Sequence, residues 1–377
     1  MKAQEIVETL AQFPHRAVAS THEQKVLAFL KSLFSHQTVT LQEFKTPTHY
    51  ISVLFWLLGG ICLGLVMLNV LPIVGAGLVL LFGVMALLYL NWYDSPVTKF
   101  PPLVTSYNLL VGPKQQHNAT KKLILMAHYD TAPISFLYHP TQVGNFRSSL
   151  IFSLVLMILA IVLSVGVAFG YAPEWVLWIT NALLIYFVGQ GILSTLDFFR
   201  FGYSNGASDN ATGVAAAITT AQRLWNTPPT DVEVELVLTG AEEVGMIGAL
   251  HYFKKYRAQF PKETYLINFD TLGAGSLKVI TQTGSLTNIR YQNKLITVAK
   301  TLLQQPDFEE VTTGSWHTAD FDSVWFQRAG IPSVTLAALD QNGKMPRIHR
   351  PEDVLEWVDF SPMELSIELA EQMARQL

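Results

Sequence analysis

The chain has 377 residues, 25 Lys and Arg against 29 Asp and Glu, a net charge of −4 and only 14 % charged residues. The mild balance, with no basic block and no acidic run, excludes a nucleic-acid binder and an acidic tail. The low charge excludes a wholly soluble enzyme, a disordered chain and a small disulfide-stapled scaffold.

The charge deficit is local. Ile51 to Tyr93, Ser148 to Pro173 and Trp175 to Leu196 contain no Asp, Glu, Lys or Arg. Cys62, the single cysteine, lies in the first of these stretches, so no intrachain disulfide forms, which fits a reducing compartment. The segment before Tyr50 lacks the apolar core of a cleaved signal peptide, and none is expected.

Residues 1–35 read as amphipathic helix, with Val26, Leu27, Phe29, Leu30 and Leu33 recurring at helical spacing. Thr38 to Phe44 alternates as a strand. Ile51 to Tyr93 is then about twice the length that spans a bilayer. Asn69-Val70-Leu71-Pro72, with Gly75 and Gly77 beyond, predicts a turn between two spanning helices. Trp56, Trp92 and Tyr93 lie toward the ends, where aromatic rings favour the interface. A core hairpin is the plainer reading, but a domain of this size would have to hide the whole uncharged stretch.

Residues 94–147 return to soluble character. Ser148 to Ala172 and Trp175 to Leu196 predict a second hairpin turning at Pro173-Glu174, bounded by Arg147 and by Asp197 and Arg200. Each hairpin returns the chain to the side it left, so every soluble part lies on one side. Lys45, Lys99, Arg147 and Arg200 flank the spans there and the far turns have no Lys or Arg, which puts the domain in the cytoplasm. Asn69, Asn181 and Gln190 are the main polar residues within the spans and read as helix–helix hydrogen-bonding groups.

Beyond the second hairpin, strands are predicted at Val232 to Leu238, Tyr265 to Phe269, Lys278 to Thr281 and Ser333 to Leu336. Helices are predicted at Gly213 to Leu224, Ile247 to Tyr256, Asn288 to Leu303 and Pro362 to Gln376. The alternation predicts an α/β domain with a central mixed, mostly parallel sheet flanked by helices. It is assembled from residues 1–50, 94–147 and 197–377 and interrupted by hairpins at 51–93 and 148–196.

Five clusters carry acidic or imidazole groups. They are His128-Tyr129-Asp130 after a buried-type strand, Gly206 to Gly213 around Asp209, Glu242-Glu243 directly after the strand ending at Leu238, Asp270 after Phe269, and His349 to Asp353. The first, third and fourth fall at strand carboxyl ends, where open α/β sheets build sites. Two His and several carboxylates are zinc-type ligands, and a carboxylate shared by two metals leaves room for water. Of an adjacent Glu pair, one can bind metal while the other takes a proton from water. Each piece alone has a plainer reading. His-x-Asp is usually a surface hydrogen-bonded pair, Glu-Glu a solvated helix face, and Asp270 a turn or cap residue.

Together and in this order, the clusters resemble the M28 family of metallopeptidases, the di-zinc aminopeptidases and carboxypeptidases. The matching stretches are His128-Tyr129-Asp130, Gly206 to Gly213, Ala241 to Gly245, Asp270, His349 with Pro351-x-Asp353, and the strand lead-in Ala329-Gly330-Ile331-Pro332. The resemblance covers most of residues 100–130 and 200–377, more weakly 1–45, and neither hairpin. It implies a peptide substrate and two zinc ions per chain, with His128 and Asp270 on one, Glu243 and His349 on the other, and Asp209 bridging both. It implies Glu242 as the general base and Asp130 as the acceptor that fixes the His128 imidazole.

Two departures stand out. The connection from Asp130 to Asp209 holds the entire second hairpin, which ties the rim of the site to the bilayer. Where the family shows Ser-Asp-His-x-x-Phe, this chain reads Phe321-Asp322-Ser323-Val324-Trp325-Phe326, so Ser323 replaces the His. His317 is a further candidate for a substrate or oxyanion contact. Two other readings stay open, a single-zinc acyltransferase resembling glutaminyl cyclases and an inactive receptor or scaffold. Asn118-Ala119-Thr120 and Asn210-Ala211-Thr212 match the glycosylation sequon, but the second abuts Asp209 and neither is read as a modification site.

Overall fold

The computed structural model describes residues 1–113 and 119–377, so the first sequon begins at Asn118, outside the described residues. Its elements in chain order are α1 (Ala3–Ala11), α2 (Thr21–Ser32), β1 (Thr38–Thr46), α3 (Tyr50–Met67), α4 (Pro72–Leu90), β2 (Val104–Gly112) and β3 (Lys121–His128). Next come α5 (Phe146–Ala168), α6 (Glu174–Leu193), α7 (Leu196–Phe201), α8 (Gly213–Asn226), β4 (Val232–Thr239), α9 (Ile247–Tyr256) and β5 (Glu263–Asp270). The chain closes with β6 (Ser276–Thr283), β7 (Ile289–Arg290), α10 (Lys294–Leu302), β8 (Thr312–Ser315), α11 (Val324–Arg328), β9 (Ser333–Leu339) and α12 (Ser361–Arg375).

The strands form one mixed sheet in the order β1-β2-β4-β3-β5-β9-β6-β7, with β8 on β6. The four central strands β4, β3, β5 and β9 are parallel, and the pairs β1–β2, β2–β4, β9–β6 and β6–β7 are antiparallel. Successive side chains leave a strand on opposite faces. Leu123 and Leu125 therefore join the layer of α1, α2, α8, α10 and α12, while Ile124 and Met126 pack against α9 and α11. Burial on both faces is why β3 reads as an unbroken apolar run.

The expected first helix is two helices, because the chain breaks at Phe13-Pro14 and restarts at α2 with Ser20 accepting from the Glu23 N–H. The start of the expected helix at Asn288 is instead β7. Helix α10 begins only after Asn293, whose side chain accepts from Ile296 N–H.

Helices α3, α4, α5 and α6 are long and apolar enough to cross a bilayer. They are apolar on all sides, and outward residues such as Trp178 and Ile185 are 74 % and 73 % exposed. Gln190 on α6 donates to Ser153 Oγ on α5 at 2.9 Å, and Ser153 meets Tyr186 at 2.7 Å. Asn69 instead donates to Val66 at the end of its own helix, 3.4 Å. Helices α3 and α4 touch through glycines. A Cβ on Gly64 would stand 2.7 Å from Val79 Cγ2 and 2.9 Å from the Gly75 carbonyl oxygen. Small residues are what allow such close approach in lipid.

Gly64→Val is therefore expected to separate α3 from α4 and to cost roughly 1–3 kcal/mol. Thermal unfolding in detergent should show a lowered Tm for this variant and no change for Gly59→Ala, since nothing lies within 4 Å of a Cβ at Gly59.

Candidate active site

Strand order builds the site. Strands β4, β3 and β5 are neighbours, and their shared register sets His128 opposite Thr239. Their carboxyl ends thus deliver His128, the Glu242-Glu243 loop and Asp270 to one place. Asp209 arrives from the loop before α8 and His349 from the loop after β9.

His128 Nε2 lies 3.2 Å from Asp209 Oδ1 and 3.6 Å from Asp270 Oδ2. His349 Nε2 lies 3.0 Å from Glu243 Oε2 and 3.3 Å from Asp209 Oδ2. Two triads result, His128–Asp209–Asp270 and Asp209–Glu243–His349, each with donor atoms within 4.8 Å of one another. Asp209 belongs to both, and Glu242 stands beside them in a third group with His128 and Glu243. Among the described residues, Asp209 Oδ2, Glu243 Oε1 and His349 Nδ1 are buried without hydrogen-bond partners. Unspent carboxylate and imidazole donors in this arrangement fit zinc.

Charge is balanced within the pocket. Burial lifts Glu242 well above the usual carboxylate range, reinforced by Glu243, Asp322 and Asp270 against the pull of His128. Burial likewise pushes Glu243 and Asp270 up to about 7. Burial works against the His349 imidazolium, but Glu243 and Asp209 overcome it and raise it to about 10. His128 is raised in the same way, with burial opposed by Glu242, Asp130 and Asp209. Burial opposes ionisation of Asp209 too, yet the two imidazoles hold it well below the carboxylate range. The imidazolium protons occupy the place of a cation, and binding a divalent ion would release them.

Backbone groups set the geometry. The Asp130 carboxylate accepts from Glu242 N–H at 3.0 Å and Glu243 N–H at 3.2 Å. His128 Nδ1 donates to the Asp130 carbonyl oxygen at 3.2 Å, while the nearer carboxylate oxygen is 3.7 Å away. The expected Asp130–His128 link thus runs through the carbonyl, because the carboxylate is engaged by the Glu-Glu turn. Asp353 accepts from Ser208 N–H at 2.7 Å and Asp209 N–H at 3.1 Å.

Beside these groups lies a cavity of about 190 Å³, lined by His128, Asp209, Glu242, Glu243, Asp270 and His349 together with largely apolar neighbours. His317 does not line it. Trp316 and Thr318 do, and His317 points away, its Nδ1 3.2 Å from the Gly284 carbonyl oxygen.

Sequence reasoning missed Arg16, Tyr138 and Asp320. The Tyr138 ring packs at a tilt against His349, with centroids 4.2 Å apart. Asp320 lines the cavity with Oδ2 buried and without a hydrogen-bond partner. Its only signal was a carboxylate between Ala319 and Phe321.

The family described as Peptidase family M28 matches residues 193–372 of this chain. Aminopeptidase YwaD of Bacillus subtilis (strain 168) is 27 % identical over 164 residues, 41 % of this chain and 34 % of that protein. The probable lipoprotein aminopeptidase LpqL of Mycobacterium tuberculosis is 39 % identical over 70 residues, 18 % of this chain and 14 % of that one. The matches thus span 34 % and 14 % of the length of these curated relatives. A leucine aminopeptidase precursor from Bacteroides thetaiotaomicron shares the fold at a TM-score of 0.58 and 13 % identity, covering 100 % of this chain and 96 % of that one. An Acidobacteriales bacterium glutaminyl cyclase does so at 0.58 and 14 %, covering 99 % and 92 %. At these identities the likeness is one of fold, shared by a hydrolase and a cyclase.

Asp353→Asn keeps one acceptor but sets an amide N–H against the second backbone donor, loosening Asp209. Zinc affinity is expected to fall roughly 10–100-fold, as measured by competition with a chelator.

Proposed function

We propose that the chain is an integral membrane, zinc-dependent exopeptidase acting as an aminopeptidase on peptides. The observation that carries this reading is the pair of buried triads sharing Asp209, with Glu242 beside them and outside both. His128 and Asp270 would hold one zinc, Glu243 and His349 the other, and Asp209 both. Bound zinc supplies a Lewis acid that makes water acidic and polarises a carbonyl.

Glu242 supplies the proton chemistry. Burial lifts its carboxyl above the usual carboxylate range, which strengthens it as a proton acceptor. It takes one proton from the attacking water as the C–O bond forms, and returns it to the amine as the C–N bond breaks. Asp130 accepts from the Glu242 and Glu243 backbone N–H groups and so fixes the turn that bears both carboxylates. Residues 1–50, 94–147 and 197–377 form the peptidase domain on the cytoplasmic face. Hairpins 51–93 and 148–196 cross the bilayer, since the exposed apolar surface of α3 to α6 requires lipid.

Glu242→Gln is expected to retain zinc while kcat falls by about 10²–10⁴. Metal analysis and peptide hydrolysis on the same preparation check this, and undiminished turnover removes Glu242 as the base. Two zinc ions per chain in that analysis support the peptidase, whereas one tightly held ion with cyclisation of glutaminyl peptides would assign the cyclase.

A further inference from the structure

The cavity has two unlike sides. Its deep side is domain residues, with Ser285, Trp316, Phe321, Met345 and Ile348 all buried. Its partly exposed rim is drawn instead from the ends of the apolar helices. Tyr50 is the first residue of α3, Tyr89 and Leu90 are the last two of α4, and Phe146 and Leu150 lie in the opening turns of α5. Leu137, just before them, both lines the cavity and is 39 % exposed, which marks it as the mouth.

The surroundings of that rim are apolar as well. Phe136 beside Leu137 is 50 % exposed. Helix α7, which follows α6, exposes Phe199 at 75 % and packs Phe198 against His49, the N-cap of α3, with ring centroids 5.1 Å apart. The domain-side ends of spanning helices lie at headgroup depth, where aromatic and apolar side chains of short amphipathic helices also settle.

We propose that the mouth of the active site opens at the bilayer surface, between the domain-side ends of α3, α4 and α5, and that its substrates are peptides held at that surface. The proposal rests on the peptidase reading above and names its substrate class. The hairpins then do more than anchor, because they form the wall past which a peptide end must slide to reach Glu242. A peptide with an apolar segment or acyl chain is already at that depth, whereas one dissolved in water must first partition there.

The test uses the full chain in phosphatidylcholine vesicles. In a Cys62→Ala background, Leu137→Cys is labelled with bimane, and Glu310→Cys, exposed at the opposite end of β8, is labelled as a control. Lipids brominated near the headgroup end of their chains should quench the label at position 137 and leave the one at position 310 unquenched. In the unlabelled protein, a short leucyl peptide with a C-terminal hexadecylamide should show at least about tenfold higher kcat/KM than the same peptide without it. No quenching at position 137, or equal kcat/KM for the two peptides, overturns the proposal. Quenching with zinc bound and neither peptide cut shows the mouth at the bilayer surface and overturns the peptidase reading instead.

Discussion

Like charges brought together out of water repel strongly, and this pocket gathers Asp209, Glu242, Glu243 and Asp270 around two imidazoles with little solvent. Nearby features answer that repulsion. The imidazoles are pushed toward their charged forms by the surrounding carboxylates, and Asp130 and Asp353 each engage two backbone N–H groups, which fixes the loops that bring in Glu242, Glu243 and Asp209. The parallel run β4-β3-β5 is what sets up the crowding, since its aligned carboxyl ends bring three of the loops to one point. A divalent cation would complete the balance.

Both hairpins are inserted where the chain had already closed a loop. The first joins β1 to β2, antiparallel neighbours whose register sets Thr46 opposite Val104. The second leaves and re-enters through the bridge Pro133–Tyr203, with Ile134 N–H donating to Gly202 and Ser204 N–H to Ala132, both at 2.9 Å. The chain thus goes out to α5 and α6 and returns to the same spot. The spacing of His128 and Asp209 is independent of the inserted length, because closing a longer loop adds cost only slowly.

What was legible in the sequence follows from what burial does to pattern. The apolar helices announced themselves by absence of charge, and β3, β4, β5 and β9 by runs of strong strand formers. His128, Glu242, Glu243 and Asp270 were readable because they end or directly follow those runs, whereas Asp209 and His349, in loops, were readable only as members of the set. Strand β2 was not, because its alternation is broken by Ser106 and Asn108, both fully buried. Each is polar for a reason remote in sequence. Ser106 donates to Glu23 at 2.5 Å, and Asn108 accepts from Gly240 N–H and donates to the Gly248 carbonyl, holding the loop that bears Glu242. Tyr138 was hidden in the same way, since its packing against His349 depends on where the second hairpin begins.

Arg16 shows how far such remote constraints reach. It is fully buried, and among the described residues no carboxylate pairs with it. Burial lowers its guanidinium to about 10, against the opposing field of Asp353, Asp209, Asp130 and Glu243. Its donors go to carbonyl oxygens, those of Tyr129 at 2.7 Å and of Asn205 and Gly206 at 2.8 Å. These carbonyls lie on the two strands of chain that leave for and return from the second hairpin. Asn205 reciprocates by donating to Ala11 and Phe13. The break between α1 and α2 thus staples together both ends of the insertion, directly behind His128 and Asp209. A cation there also offsets the acidic pocket without competing for its ligands, since its hydrogen bonds are spent on backbone.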